Sequence, residues 1–168
     1  MTLLQLNQLS KTDLSTQLAS CCGASNWVHA MVHFRPYASE KILFEISDVI
    51  WSELGDEDYL EAFTHHPMIG DLQALQEKFA STATWAGEEQ QGSQGADELI
   101  LRALQQSNQA YLDKFGFIFI VCATGKTAEQ MLAMLQVRLN NDAKTELATA
   151  AAEQHKITQL RLKKLLNE

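Results

Sequence analysis

The chain has 168 residues, enough for one domain whose core needs neither disulfides nor a structural metal. It is 46% hydrophobic and 20% charged, a globular composition. With a net charge of -8 it offers no basic face for a phosphate backbone or an anionic membrane surface, so neither nucleic acid nor membrane is an expected partner.

The predicted elements are helical nearly throughout. The first residues carry no basic region followed by an apolar run, so no secretory signal is expected. Ser10 and Asp13 have capping-box spacing, and Gly23 closes the helix that follows. Cys21, Cys22 and Cys122 are an odd set that suits a reducing cytoplasm, and each reads as a buried structural thiol. Ser25 is the predicted cap of a short helix through Trp27, Val28 and Met31, ending before Arg35-Pro36. Ser39 opens a clearer helix in which Ile42, Leu43, Ile46, Val49 and Ile50 fall at helical spacing, with Gly55 as the predicted C-cap.

A short helix from Glu57 leads to His65-His66-Pro67, and Asp71 is the predicted cap of a helix over 72–79. Residues 81–97 are rich in Gly, Ser, Thr and Gln and read as a loop with a short helix near 85–91. A long helix follows over about 97–115, offering Leu99, Leu101, Leu104, Tyr111 and Leu112 to a core, and Gly116 ends it. Residues 117–123 fit either an extended piece or a buried helical turn. The apolar run over 115–123 is far shorter than the ~20 residues that span a bilayer. Thr127 caps a helix through Met131, Leu132, Leu135 and Leu139, and Asn141 or Asp142 begins the last one. There is no alternation of strands with helices, no repeat and no linker. The expected fold is all-α, a compact single-domain bundle of about eight helices with short loops over 1–168.

Chemistry is thin outside one junction. Proline disfavours the helical conformation in the residue before it, so Pro67 places His66 at a helix end in extended or turn geometry. An imidazole there titrates near neutral pH and can hold a proton over a pocket; the same pattern also simply ends a helix. His29 and His33 share a helix face at a spacing that can hold zinc, but the sequence supplies no third ligand in a known pattern, and surface histidines are the better reading. His155 reads as solvated, as do Glu88, Glu89 and Arg138 when each is taken singly. No phosphate-cradling glycine loop, nucleophile elbow or cysteine-pair metal site is present.

Taken together and in order, five segments resemble one family. HHPMIGD resembles the His-Pro-x-Ile/Leu-Gly signature of the 2-oxo-4-hydroxy-4-carboxy-5-ureidoimidazoline (OHCU) decarboxylases. GASNWVHAMVHFRPY resembles the family's Ser-x-Trp and Arg-Pro-Phe segment, and GEEQQG its Ser-x-x-Glu-Gln segment. NQAYLDKFGFIFIV resembles Asn-x-x-Tyr followed by Phe-Gly-Phe-Pro-Phe. RLNNDAKTELATAAAEQHKITQLRL resembles Arg-x-x-Asn and a C-terminal helix ending Leu-Arg-Leu.

The resemblance implies an all-helical homodimer, without metal or organic cofactor, that decarboxylates a small anionic ureidoimidazoline to (S)-allantoin in urate breakdown. It places the catalytic histidine on His66, the glutamate on Glu89 and the arginine on Arg138. Substrate contacts fall on Pro67, Ala86 and Gln90, and on the main chain of Phe119, Ile120, Val121, Cys122 and Ala123. Two departures stand out: Ala86 replaces the family serine, and Ile118 replaces the proline of the apolar strip. The dimer face is open, with Trp51 or the last helix as candidates. Two rivals belong to other classes, a non-catalytic helical module that binds a ligand or partner and a metal protein using His29, His33 and His65 or His66.

Overall fold

Helices begin where a polar group can accept from the first turn's unpaired N–H groups. The computed structural model describes residues 1–66 and 94–167, with the backbone alone for 94–97. Thr2 and Gln5 form a capping box on α1 (Leu3–Gln8), and Ser10 accepts from Asp13 N at the start of α2 (Lys11–Cys21). Ser39 caps α4 (Glu40–Glu53) through Ile42 N, and Thr127 with Gln130 boxes α7 (Ala128–Arg138). Asp142 accepts from Thr145 N ahead of α8 (Ala143–Asn167). With α3 (Ser25–His33), α5 (Asp56–Thr64) and α6 (Gln94–Phe115), eight helices and no strand are present among the described residues, so the chain is all-α. None of the described helices is long and apolar enough to cross a membrane. The helices expected over 72–79 and near 85–91 lie outside the described residues.

Four expectations are corrected. Ser25 is the first helical residue of α3 rather than its cap, because Glu61 of α5 supplies the acceptor: Ser25 N and Oγ donate to it at 2.9 and 2.6 Å. Gly55 is the N-cap of α5, where its N–H donates to Asp58, whereas α4 ends at Leu54 in extended geometry. The buried face of α4 is Leu43, Ser47, Ile50 and Trp51, leaving Ile42 and Val49 exposed. Leu99, expected in the core, is 70% exposed. Gly116 does end α6, with φ at 76°, the left-handed geometry that glycine adopts without strain. Residues 118–123 adopt neither helix nor strand, which settles the ambiguous segment as irregular backbone.

The chain divides into two compact units. The first holds Met1–His66, Ile120–Cys122 and residues 147–167; the second holds the described residues from 94 to Phe119 and Ala123–Glu146. In the first, Leu14, Leu18, Trp27, Met31, Leu43, Phe63 and Leu162 are fully or almost fully buried. Trp51 is buried too, its indole N–H donating to Ala151 O at 3.2 Å, which withdraws it as a dimer-face candidate. His155, expected to be solvated, lies over the Trp51 ring and pairs with Asp48 at 2.8 Å. In the second unit α6 packs on α7, with Leu101, Leu104, Tyr111, Met131 and Leu135 buried.

Candidate active site

His66 follows the last turn of α5 and is half-buried. Its position depends on how α5 is held. Glu61 grips the start of α3 through Ser25, and Asn26 donates to Asp58 at 2.8 Å, so two polar clips join α3 to α5. The backbone N–H groups of His65 and His66 then close onto Ala62 O and Phe63 O, winding the chain down at the junction.

His65 has no implied chemistry, but it packs where Gly23 lacks a side chain. A Cβ on Gly23 would lie 2.3 Å from His65 Cγ, far inside van der Waals contact. Gly23→Ala is therefore expected to displace His65 and, through the backbone, His66. Shifted His65 and His66 ring signals in NMR spectra, with little change in helical circular dichroism, are the expected result.

The His66 ring meets the last helix. Its Nε2 lies 2.5 Å from Gln154 Oε1, and Gln154 Nε2 donates to Thr158 Oγ1 at 3.2 Å. Gln154 and Thr158 are both fully buried. Burial holds the His66 pKa below its ordinary value; the hydrogen bond to Gln154 opposes this, and the charges of Arg161 and His65 add to it. Arg161 also reaches the last carbonyls of α2, donating to Ser20 O at 3.4 Å.

The lowered pKa fixes the sign of a pH effect. Between the folded value and the unfolded one near ~6.5, the unfolded chain binds more protons, so stability falls as pH drops through that window. His66→Asn is expected to flatten this part of the stability curve, as read from urea unfolding between about pH 5 and 7. An unchanged slope would contradict the assignment.

The apolar strip is anchored by its main chain. Cys122 N–H donates to Glu153 Oε2 at 2.7 Å, and Lys156 pairs with the other carboxylate oxygen at 2.5 Å. Ile120 and Val121 are buried. A side-chain acceptor thus constrains this strip, in which Ile118 replaces a proline of the family pattern. Cys21, Cys22 and Cys122 remain thiols, and burial pushes Cys21 up to about 11 and raises Cys22.

In the second unit Arg138 is 6% exposed. Its Nε donates to Glu146 at 2.7 Å, a terminal nitrogen donates to Tyr111 Oη at 3.2 Å, and the guanidinium lies 4.5 Å from the Phe119 ring centroid. Tyr111 Oη also donates to Glu146; burial first, then that carboxylate, holds the phenol protonated.

Of the residues expected at the site, His66 with Ile120, Val121 and Cys122 falls in the first unit, and Arg138 with Phe119 and Ala123 in the second. Pro67, Ala86, Glu89 and Gln90 lie outside the described residues. The sequence reading missed Gln154, Thr158 and Arg161. They sit at i, i+4 and i+7, a polar stripe along one face of a helix otherwise rich in Ala and Leu, and that period was the available signal. His29 and His33 are exposed and line a surface groove with Lys11 and Arg35, which are cations rather than further metal ligands.

The structure thus holds a half-buried histidine against a buried amide on an all-helical frame. Residues 7–163 match the OHCU decarboxylase family, and the chain belongs to that family. It is 35% identical over 150 residues to the uric acid degradation bifunctional protein TTL of Arabidopsis thaliana, covering 88% of this chain and 46% of that protein. A bifunctional relative from Bacillus sp. (strain TB-90) is covered over 33% of its length, so the chain spans a third to a half of these curated relatives. A 2-oxo-4-hydroxy-4-carboxy-5-ureidoimidazoline decarboxylase from Haloferax volcanii is 26% identical, with 96% of this chain and 94% of that protein aligned. The chain also resembles a crystal structure of OHCU decarboxylase determined in the presence of (S)-allantoin. The TM-score is 0.71 at 33% identity, covering 90% of this chain and 98% of that one.

Proposed function

We propose that this chain decarboxylates 2-oxo-4-hydroxy-4-carboxy-5-ureidoimidazoline to (S)-allantoin, as one domain over 1–168, using His66 as the acid–base group. The observation that carries this reading is the 33% identity and 0.71 TM-score to an OHCU decarboxylase studied with (S)-allantoin, over nearly all of that chain. The placement of His66 at the end of α5, against a buried neutral partner, supports it.

The substrate's own structure supplies the electron sink. Carbon 4 bears a hydroxyl and a carboxylate, and carbon 5 is doubly bonded to nitrogen. Breaking the bond from carbon 4 to the carboxylate releases carbon dioxide, and the electron pair passes through carbon 5 to that nitrogen, which takes up one proton. The resulting enol then loses its hydroxyl proton and gains one at carbon 5, giving the ketone. The face protonated at carbon 5 sets the handedness.

His66 carries this proton traffic, from the hydroxyl or to carbon 5. Its lowered pKa keeps the ring neutral and ready to accept a proton near neutral pH. Glu89 accepts from the ureido N–H groups, and Gln90 and Pro67 are substrate contacts, as the family resemblance implies. The main chain of residues 119–123 contacts the ring, as the family resemblance implies. Arg138 attracts the anionic substrate; its stacking on Phe119 couples it to one end of that strip. Arg161 supplies the positive charge that acts on His66 itself.

Three cysteines outside any disulfide suit a cytoplasmic enzyme. A homodimer, as the family resemblance implies, would cover the exposed apolar strip of Phe34, Ile42 and Val49; light scattering would read its mass. Loss of freshly generated substrate, with carbon dioxide release, is expected to exceed the spontaneous rate. A purely binding module would leave that rate unchanged.

A further inference from the structure

We propose that Gln154 and Thr158 form a side-chain relay that holds His66 as its Nε2–H tautomer, which makes Nδ1 the nitrogen that exchanges protons with the substrate. The catalytic half of this proposal rests on His66 being the acid–base group; the tautomer half stands on geometry alone.

The direction of the relay follows from what each atom can do. Thr158 Oγ1 donates to the carbonyl oxygen of Gln154 at 3.1 Å, one turn back along the same helix. A carbonyl only accepts, so the threonine proton is committed there and Oγ1 is left to accept. The Gln154 group facing it at 3.2 Å must then be the amide NH2. This turns Gln154 Oε1 toward His66, 2.5 Å from Nε2. An amide oxygen has no proton to give, so Nε2 must carry one. In the neutral ring Nδ1 is left as the base.

Burial makes the arrangement firm. Both Gln154 and Thr158 are fully buried, where a reversed amide would set acceptor against acceptor at one end of the relay. The relay also serves both protonation states. When Nδ1 takes a proton the ring becomes a double donor, and Gln154 Oε1 still accepts from Nε2. The imidazole need not turn over during the cycle.

A neutral amide differs from the carboxylate that orients histidine in many acid–base sites. It fixes the tautomer without a negative charge that would draw the ring into its protonated form. The charged and titratable groups around the ring are Arg161 from α8 and His65 from its own segment. Cys22 is hydrogen-bonded to Thr158, and the carboxylate of Glu61 feels the charge of His65. Replacing Gln154 by glutamate adds the missing charge.

The test uses histidine labelled with 15N in the full-length protein, with long-range proton–nitrogen spectra reporting which ring nitrogen of His66 holds the proton. The wild type is expected to show protonated Nε2 and unprotonated Nδ1 above the pH at which the ring titrates. Thr158→Val removes the hydroxyl while keeping the shape, and Gln154→Met removes the amide. Each is expected to give mixed tautomers and about ten- to thousandfold lower kcat with a smaller change in KM. Thr158→Ser is expected to restore the single tautomer. Gln154→Glu is expected to keep Nε2–H and to move the acid limb of the pH–rate profile upward by about one to three units.

A wild-type spectrum with the proton on Nδ1 would overturn the relay, whatever the variants do. So would a single Nε2–H tautomer persisting in Gln154→Met. Full activity in His66→Ala, beside an intact Nε2–H signature in the wild type, would overturn the catalytic half alone and with it the proposed role of His66.

Discussion

Replacing His66 by alanine is expected to slow turnover by about 10²- to 10⁴-fold while the protein keeps its helical circular dichroism. The ring is half-buried and sits beyond the last turn of α5, so its removal breaks no helix hydrogen bond. The polar clips that hold α5, from Ser25 to Glu61 and from Asn26 to Asp58, remain in place. The loss should therefore fall on the proton-transfer steps rather than on folding. Gln154 would be left with an unpaired buried oxygen, a penalty that His66→Asn can lighten by offering an amide donor. Both variants should be similarly inactive, since neither restores a group that titrates near neutral pH. Steady-state kinetics against the spontaneous reaction give the answer. Near-wild-type rates in folded His66→Ala protein would remove His66 from the mechanism.

Glu146→Ala is expected to destabilise the protein by roughly 3–5 kcal/mol, because it removes a buried carboxylate that serves three donors, the Arg138 guanidinium among them. Glu146 is fully buried and accepts from Arg138, from Tyr111 Oη and from Asn141 Nδ2, the last at 2.7 Å. Without it the Arg138 guanidinium, which lies against Phe119 and donates to Tyr111 Oη, loses its buried carboxylate acceptor. Against a total stability of about 5–15 kcal/mol this is a large fraction, and Tm should fall on the order of 10 °C. Glu146→Gln keeps acceptor and shape and should lose less. The double variant Arg138→Met with Glu146→Leu should be more stable than the sum of the losses in Arg138→Met and Glu146→Leu alone, since it removes both charges of the buried pair together. Urea unfolding of the wild type, of these variants and of the single variants Arg138→Met and Glu146→Leu gives the comparison. If the double variant folds yet binds substrate poorly, Arg138 contributes to the anion beyond its packing. A Glu146→Ala protein within about 0.5 kcal/mol of wild type would contradict the burial argument.

Local chemistry was readable in the sequence and remote partners were not. Ser10, Ser39 and Thr127 start helices because the acceptor and the N–H it serves are three residues apart. Ser25 failed as a cap because its acceptor, Glu61, comes from another helix 36 residues away. The face of α4 was mistaken in the same way. Ile42 and Val49 have the right period, but the stripe that is buried carries Ser47 and Trp51, and only packing chooses between overlapping stripes of one helix.

At the site, Pro67 made His66 legible through a restriction on its own neighbour. Gln154, 88 residues from His66, carries no local sign of that pairing. Its signal was compositional, a polar residue repeated at Thr158 and Arg161 along an apolar helix. The ordered motifs marked Arg138, but its burial against Glu146 depends on α8 beginning where Asp142 caps it.

The handedness of the product tests the central claim most directly. Freshly generated 2-oxo-4-hydroxy-4-carboxy-5-ureidoimidazoline is mixed with the protein, and the circular dichroism of the allantoin formed is followed against a protein-free control. The expected result is the dichroism of (S)-allantoin, rising faster than spontaneous decay. Substrate loss at the control rate, with no net dichroism in the product, would contradict the account.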